Sequence, residues 1–194
     1  MMYRKPALLI PLFVVASLGL SSAFASTISL LPDSTNATYP PSSTVILDLQ
    51  MDFSDDPTLG GGVDIFYNGS LLNFVSFEIN PALGSDPSFT RAPDDLGNVL
   101  EGLVFGNFNG LSGPESVGTL TFTTLGTGIA DFTIAETTDP LKGGGFFSAV
   151  TLTAQNPTFI GTSVNISAIP LPAAAWLFAS GLLGLAGFSR RRKL

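Results

Sequence analysis

The chain has 194 residues, with eight lysines and arginines against fifteen aspartates and glutamates, and it contains no cysteine and no histidine. Disulfides, cysteine-ligated metal centres, thiol nucleophiles and Ser-His-Asp triads are therefore excluded. Only Arg91 and Lys142 are basic between the two ends, whereas all fifteen acids lie there, so this central part carries 2 − 15 = −13 charges. Such an acidic surface repels phosphates, which excludes nucleic acid as a partner.

Residues 1–25 have the pattern of a secretory signal peptide. Arg4 and Lys5 form the charged start, residues 7–20 form an apolar stretch, and Ala23 and Ala25 supply the small residues of a cleavage site. The apolar stretch is short for a bilayer span, which needs about 20 residues. We therefore expect signal peptidase to cleave after Ala25 and the body to be exported. The alternative is an uncleaved anchor.

Residues 26–168 alternate between apolar and polar side chains with period two, which is typical of half-buried strands. The clearest run puts Val45, Leu47, Leu49, Met51 and Phe53 on one face, with the neighbouring Ile46 as an exception. Further runs with this alternation cover residues 63–68, 75–79, 119–123, 131–136, 150–153 and 164–166.

Turn-forming residues separate these runs and set the predicted fold class. Clusters of Gly, Pro, Asn and Asp occur at residues 55–57, 60–62, 68–70, 80–81, 110–114, 126–128 and 143–145. Strands with regular turns and no long helical pattern predict an all-β fold, an antiparallel β-sandwich of about eight to ten strands. Its largest core side chains are expected to be Phe53, Phe74, Phe77, Phe105, Phe122 and Phe132.

The body resembles a known module. The run TVILDLQMDFSDDPTLGGGVDIFYNGSLLNFVSFEIN is similar to the opening of a cohesin-type domain. The later run VGTLTFTTLGTGIADFTI has the Gly-x-Leu-x-Phe strand, the glycine turn and the alternating strand that are typical of cohesins. The resemblance covers residues 27–167 and implies a cohesin-like or jelly-roll-like sandwich. Cohesins of the cellulosome bind dockerins, but no residue set in this sequence identifies a dockerin surface.

Two groups of acids are the candidates for chemistry. Asp52, Asp55 and Asp56 form one group, and Asp94 and Asp95 form the other. A carboxylate pair can act as acid and base in glycoside hydrolysis, but these acids lie in turns and no motif supports catalysis, so we expect no enzyme. The first group offers oxygen donors of the kind that calcium takes, without the glycine and distal glutamate of an EF-hand. We expect no cofactor, with a loop calcium as the alternative.

A second apolar segment, residues 173–188 (AAAWLFASGLLGLAGF), carries no charge and leads into Arg190, Arg191, Arg192 and Lys193. Counted from residue 169 it is long enough to span a bilayer, which needs about 20 residues. Cations that follow a span stay in the cytoplasm. The segment is therefore predicted to be a transmembrane helix that leaves the body outside.

The residues before this span carry a second resemblance. Ile169, Pro170, Leu171, Pro172 and Ala173 form a short strip in which proline favours an extended backbone. With the span and the basic tail, the strip resembles the PEP-CTERM sorting signal, in its VPLPA variant, of exosortase substrates; Ile169 stands where valine is usual. This resemblance covers residues 169–194. It implies a bacterium of the Gram-negative type whose exosortase cuts near the motif and passes the body to the cell surface.

These patterns together divide the chain into a signal peptide (1–25), a β-sandwich domain (26–168) and a sorting signal (169–194). They favour a non-enzymatic surface or matrix protein, held transiently in the inner membrane, processed by signal peptidase and exosortase, and associated with exopolysaccharide or biofilm. The alternative is a permanently membrane-anchored, cohesin-like binding module for a protein or carbohydrate partner.

Overall fold

The computed structural model describes residues 26–34, 38–138, 142–168, 177–178 and 180–183. The predicted cleavage residues Ala23 and Ala25, the predicted sorting motif (169–173) and the basic tail (190–193) lie outside the described residues. Residues 177–178 and 180–183 are helical. In the part of the chain that is described, no helix is both long and apolar enough to cross a membrane.

Thirteen strands and two short 3-10 helices make up the described fold. In chain order the strands are β1 (Thr27–Pro32), β2 (Thr38–Tyr39), β3 (Thr44–Asp52), β4 (Thr58–Phe66), β5 (Leu72–Ile79), β6 (Asp94–Asp95), β7 (Val99–Leu111), β8 (Glu115–Thr124), β9 (Gly128–Glu136), β10 (Phe146–Phe147), β11 (Ala154–Gln155), β12 (Thr158–Ile160) and β13 (Thr162–Ile166). The 3-10 helices, Pro81–Leu83 and Pro87–Phe89, lie between β5 and β6.

Two sheets form the sandwich that the sequence predicts. The five-stranded sheet has the order β12-β1-β3-β8-β5, and the six-stranded sheet has the order β2-β13-β9-β4-β7-β6. Their neighbouring strands are antiparallel, apart from the parallel pairs β1–β12 and β2–β13. Gly161 separates β12 from β13, so the chain changes sheets between these two strands. The prediction of an all-β sandwich is confirmed. The thirteen strands exceed the predicted eight to ten, and four of them, β2, β6, β10 and β11, have only two residues each.

Strand β3 shows why the alternation predicts the core. Val45, Leu47, Leu49 and Met51 are at most 1% exposed, whereas the intervening Ile46 is 38% exposed. Successive side chains of a strand point to opposite faces of its sheet, so one face packs inward. The neighbouring β8 contributes its inward side chains in register with this face, because Val45 lies opposite Phe122. The faces predicted for this strand are confirmed.

Four of the six predicted core phenylalanines, at positions 53, 105, 122 and 132, are at most 1% exposed. The other two, Phe74 and Phe77, are only partly buried against the core. Both lie on β5, which is the edge strand of its sheet and has a neighbour on one side only. Phe146, which the alternation does not predict, is fully buried, and its ring lies 5.7 Å from that of Phe53.

The glycine run at residues 60–62 is predicted as a turn, and this prediction is wrong. The three glycines lie within β4, which pairs with both β7 and β9. A side chain at Gly61 would place its Cβ 2.8 Å from the Phe146 ring, and one at Gly60 would place it 2.1 Å from the Phe105 carbonyl oxygen. The glycines therefore permit close packing in the middle of a strand, which a local pattern cannot distinguish from a turn.

The strand predicted at residues 150–153 is also wrong. Val150 is 73% exposed, and Leu152 is 69% exposed with a φ of +58°. The Ser148 hydroxyl accepts hydrogen bonds from the backbone N–H groups of Val150 and Thr151, at 3.1 and 3.0 Å. Such a serine turn replaces the hydrogen bonds of a strand. The alternating pattern at these positions has only two apolar residues, which is too few to favour a strand over this turn.

A bulge changes the predicted faces of β5. The sequence places Val75 on the same face as Phe77 and Ile79, but Val75 is 55% exposed. The register with β8 shifts between Phe74 and Ser76, so Val75 is the extra residue and the alternation restarts after it. The prediction for Val75 is therefore wrong, while Phe77 and Ile79 do pack against the core.

Candidate binding surface

The outer face of the six-stranded sheet carries an open cleft of about 420 Å³. Two exposed apolar side chains line it: Phe66, at the end of β4, is 44% exposed, and Ile129, near the start of β9, is 66% exposed. Asn68, Asn98, Asp131 and Thr133 also line it. We call this feature the β4–β9 cleft.

The pairing of β4 with β9 explains why these side chains face outward. Ile65 lies opposite Ile134, and both are buried in the core. The next pair, Phe66 opposite Thr133, must point to the other face. An apolar residue that falls out of phase with the alternation is therefore exposed, and this is the sequence signal that would have identified Phe66 and Ile129. Neither residue is among the site residues predicted from the sequence.

A tight turn closes one side of the cleft. The Asn68 side-chain oxygen accepts hydrogen bonds from the backbone N–H and the hydroxyl of Ser70, at 2.9 and 2.7 Å. The Tyr67 backbone N–H donates to the Asn98 carbonyl at 3.0 Å, which joins this turn to the start of β7. The predicted turn at residues 68–70 is confirmed, and these bonds fix the rim of the cleft.

The middle of the same sheet face is covered by the chain itself. Lys142 forms ion pairs with Glu101 and, at 3.1 Å, with Asp94. A Cβ at Gly102 would lie 2.6 Å from Lys142 Cδ, and one at Gly62 would lie 2.6 Å from the Lys142 carbonyl oxygen. Glycines at both positions therefore let the segment that begins at Lys142 lie flat on β4 and β7. The β4–β9 cleft lies farther along β4, at Phe66.

The ion pairs shift the pKa values of their members. Hydrogen bonds with Glu101 and then Asp94 raise the pKa of Lys142. The hydrogen bond from Lys142 and the charge of Arg91, which lies 2.7 Å from Asp94, lower the pKa of that carboxyl. Asp94 is about half exposed, so solvent screens the pair and its contribution to stability is small.

These shifts predict how stability depends on pH. A carboxyl whose pKa is lowered on folding stabilises the fold above its unfolded value, about 3.9, and loses this contribution as pH falls through its folded value. We expect Lys142→Gln to show a smaller fall in melting temperature between neutral and strongly acidic pH than the unmutated protein. Thermal unfolding across that range is the measurement, with Asp55→Asn as the control for a carboxyl outside the ion pairs. Parallel pH profiles for Lys142→Gln and the unmutated protein would contradict the prediction.

Two acids of the first predicted group, Asp52 and Asp56, accept hydrogen bonds within the fold. Asp52 accepts from the backbone N–H and hydroxyl of Ser54, which lowers its pKa. Asp56 accepts from the Ser148 hydroxyl at 2.7 Å and from the Gln155 amide at 3.0 Å. These carboxylates stabilise turns and the contacts between them.

The two acids of the second group, Asp94 and Asp95, have different partners. Asp94 takes part in the ion pairs, whereas Asp95 accepts from the Tyr67 hydroxyl at 2.6 Å and from the Gly97 N–H at 2.8 Å. Burial and the hydrogen bond with Asp95 raise the pKa of Tyr67. In the described part of the chain, no three acidic side chains come together as a metal site. The expectation of no cofactor, with a loop calcium as the alternative, stays a prediction.

The comparisons with known proteins identify the fold. No protein-family model matches the sequence, and no curated protein matches it either. Solved structures do match, and cohesin modules are among them. The sixth cohesin of scaffoldin B from Acetivibrio cellulolyticus, in complex with the Cel5 dockerin, is 16% identical over 74% of this chain and 99% of its own, with a TM-score of 0.54.

Two further neighbours are similar to the same extent. The cohesin of OlpA from Clostridium thermocellum, in complex with Doc918, is 10% identical over 74% of this chain and 99% of its own, with a TM-score of 0.56. The cohesin module of a family 33 glycoside hydrolase from Clostridium perfringens is 10% identical over 75% of this chain and 97% of its own, with a TM-score of 0.53. At these identities the likeness shows the fold. The predicted cohesin-like β-sandwich is confirmed.

Proposed function

We propose that the chain is an exported, non-enzymatic binding module that engages a protein partner through the β4–β9 cleft. The exposure of Phe66 and Ile129 beside polar side chains on one sheet face is the observation that carries the proposal. Interfaces of this kind centre on apolar anchors within a polar rim. Two of the similar solved structures are complexes of a cohesin with a dockerin, which supports a protein as the partner.

The proposal that the chain is not an enzyme is supported by the acids themselves. Asp52, Asp56, Asp94 and Asp95 each accept hydrogen bonds or form ion pairs within the fold. A general acid or base must reach the proton that it transfers. These four acids are therefore better explained as structural residues.

Substitutions in the cleft test the binding function. Candidate partners would be captured from the exported proteins of the native host and then titrated with the purified body by calorimetry. We expect Ile129→Asp to weaken binding at least about tenfold, which corresponds to about 1.4 kcal/mol, because it places a charge on an apolar anchor.

The matched control for this substitution is Val150→Asp. Val150 is 73% exposed and lies on the Ser148 turn, away from the cleft, so this change should leave affinity unaltered. Equal affinity of Ile129→Asp and the unmutated body would contradict the use of the cleft. An equal loss in both variants would indicate that added negative charge, and not the lost anchor, weakens binding.

We further propose that the chain is processed at both ends and delivered to the cell surface or an exopolysaccharide matrix. The support is the sequence: a cleavage pattern at Ala23 and Ala25, and the strip from Ile169 to Ala173 followed by a span and a basic tail. The intact mass of the protein from the native surface fraction is the test.

We expect that mass to lack residues 1–25 and the segment after about residue 169, as the positions of the two patterns imply. Loss of the N-terminal segment alone would contradict sorting. It would favour the alternative, a permanently anchored module.

A further inference from the structure

Several loops meet at the end of the sandwich from which the chain leaves. They comprise residues 39–43, 67–71, 96–98, 125–128 and 167–168, and we call this surface the exit end. Backbone hydrogen bonds of 2.8–3.0 Å join these loops or anchor them to adjoining strand ends: Tyr67 N–H to Asn98 O, Leu125 N–H to Leu71 O, Ser42 N–H to Thr124 O, and Ser167 N–H to Tyr39 O. The exit end is therefore one surface and not a set of separate loops.

The covalent chain limits how far this surface can lie from the apolar segment. Ser167 is still bonded to Tyr39, and only residues 168–172 separate it from the first residue of the segment 173–188. Even a fully extended chain spans at most about 3.4 Å per residue, or about 20 Å over this stretch. The nine-residue strand β3 is about 30 Å long at about 3.3 Å per residue. When the apolar segment lies in a bilayer, the exit end must therefore lie near the bilayer surface.

The exit end differs in charge from the rest of the body. None of its residues is charged, although the central part of the chain carries 2 − 15 = −13 charges. Asp33 and Asp95 lie next to it, and each accepts a hydrogen bond from a tyrosine hydroxyl, at 2.5 and 2.6 Å. Leu96 and Leu125 are 61% and 54% exposed on it.

The opposite end of the sandwich is acidic. There β3 ends at Asp52, the turn with Asp55 and Asp56 follows, and β8 begins at Glu115. Contact with a lipid surface removes water from the groups that face it, and this costs most for charged groups such as carboxylates. An uncharged end with exposed leucines fits a headgroup surface, whereas the acidic end does not.

We infer that the exit end is a membrane-contact surface that rests on the lipid headgroups while the C-terminal segment is in the bilayer. This inference depends on the membrane-held state in the proposed function. It orients the strands along the membrane normal, with Leu96 and Leu125 at the lipid and Asp52, Asp55 and Asp56 about one strand length away, or about 30 Å. The β4–β9 cleft shares Tyr67, Asn68, Gly69 and Asn98 with the exit end, so its rim on that side then lies against the lipid.

Energy transfer to lipid tests this orientation in the full chain. Because the protein has no cysteine, a fluorophore can be attached at one introduced site. Thr127→Cys labels the exit end, and Ser54→Cys labels the acidic end. The full chain is reconstituted in phosphatidylcholine vesicles that contain a lipid-bound acceptor. We expect severalfold higher transfer efficiency from position 127 than from position 54, and we expect Leu96→Asp with Leu125→Asp to reduce it.

The outcomes separate the inference from the proposed function. A chain that does not float with the vesicles contradicts the membrane-held state, and the inference falls with it. A chain that floats but transfers energy equally from both labels overturns the inference alone. Protection of the label at position 127 from a water-soluble quencher, without transfer to lipid, would assign the exit end to a second protein copy and would also overturn it. The double aspartate variant should still float, because its apolar segment is unchanged.

Discussion

Replacement of Phe122 by alanine is expected to lower the free energy of unfolding by about 3–5 kcal/mol. The Phe122 side chain is fully buried, and its ring contacts three others edge to face: Phe132 at 5.1 Å, Tyr67 at 5.2 Å and Phe74 at 5.5 Å between centroids. These rings come from both sheets, so the truncation opens a cavity between the sheets. Movement of one sheet alone does not fill this cavity. The measurement is unfolding by denaturant, followed by far-ultraviolet circular dichroism.

Phe108→Ala is the matched control for this loss. It deletes the same atoms from a side chain that is 72% exposed and contacts only the Phe89 ring among aromatic groups of the described chain, at 4.5 Å. We expect it to cost about 1 kcal/mol or less, since one exposed aromatic pair is worth about 0.5–1.5 kcal/mol. Similar losses for the two variants would mean that Phe122 is not at the centre of the core.

Gly60→Ala is expected to destabilise the fold by about 3 kcal/mol or more, through two effects that add. Gly60 has a φ of +111°, which an alanine adopts only under strain of about 1–3 kcal/mol. The new Cβ would also lie 2.1 Å from the carbonyl oxygen of Phe105 and 2.3 Å from the Cα of Gly106. Both are backbone atoms of the paired strand β7, so β4 and β7 must separate.

The control for this substitution is Gly84→Ala, which isolates the backbone strain. Gly84 also has a positive φ, +67°, but nothing lies within 4 Å of a Cβ at this position. We expect a loss of about 1 kcal/mol, from the left-handed conformation alone. Chemical denaturation of both variants gives the comparison, and an equal cost at the two positions would show that the contact with β7 relaxes freely.

Alternation was sufficient for strands that are regular over their whole length. β3 has an unbroken period of two, and its buried face could be read directly from Val45 to Met51. The longest strand, β7, was not predicted, although Phe105 within it was predicted as a core residue. Gly102, Gly106 and Gly110 interrupt its pattern, and its register with β4 shifts at two places. Each shift restarts the alternation, so the period is lost over a window of a dozen residues.

The candidate surface depended on contacts that a local pattern does not contain. Lys142 meets Glu101 from a position 41 residues later in the chain, and Phe66 meets Thr133 only because β4 pairs with β9. The acids that stood out in the sequence instead hold the fold together, within a turn at Asp52 and between distant segments at Asp56 and Asp95. Adjacent polar residues are conspicuous in a sequence, whereas a binding surface is built from single residues on different strands.

The sequence by itself determined the fold class, most of the core and the absence of thiol and imidazole chemistry, and it predicted the two terminal segments. These properties are local, because composition and the period of two follow from the geometry of one strand. Only the tertiary structure decided that Gly60, Gly61 and Gly62 pack inside a strand, that Phe66 and Ile129 form an open cleft, and that an uncharged end surrounds the chain exit. Strand order and register decide these features, because pairing between distant segments fixes which side chains share a face.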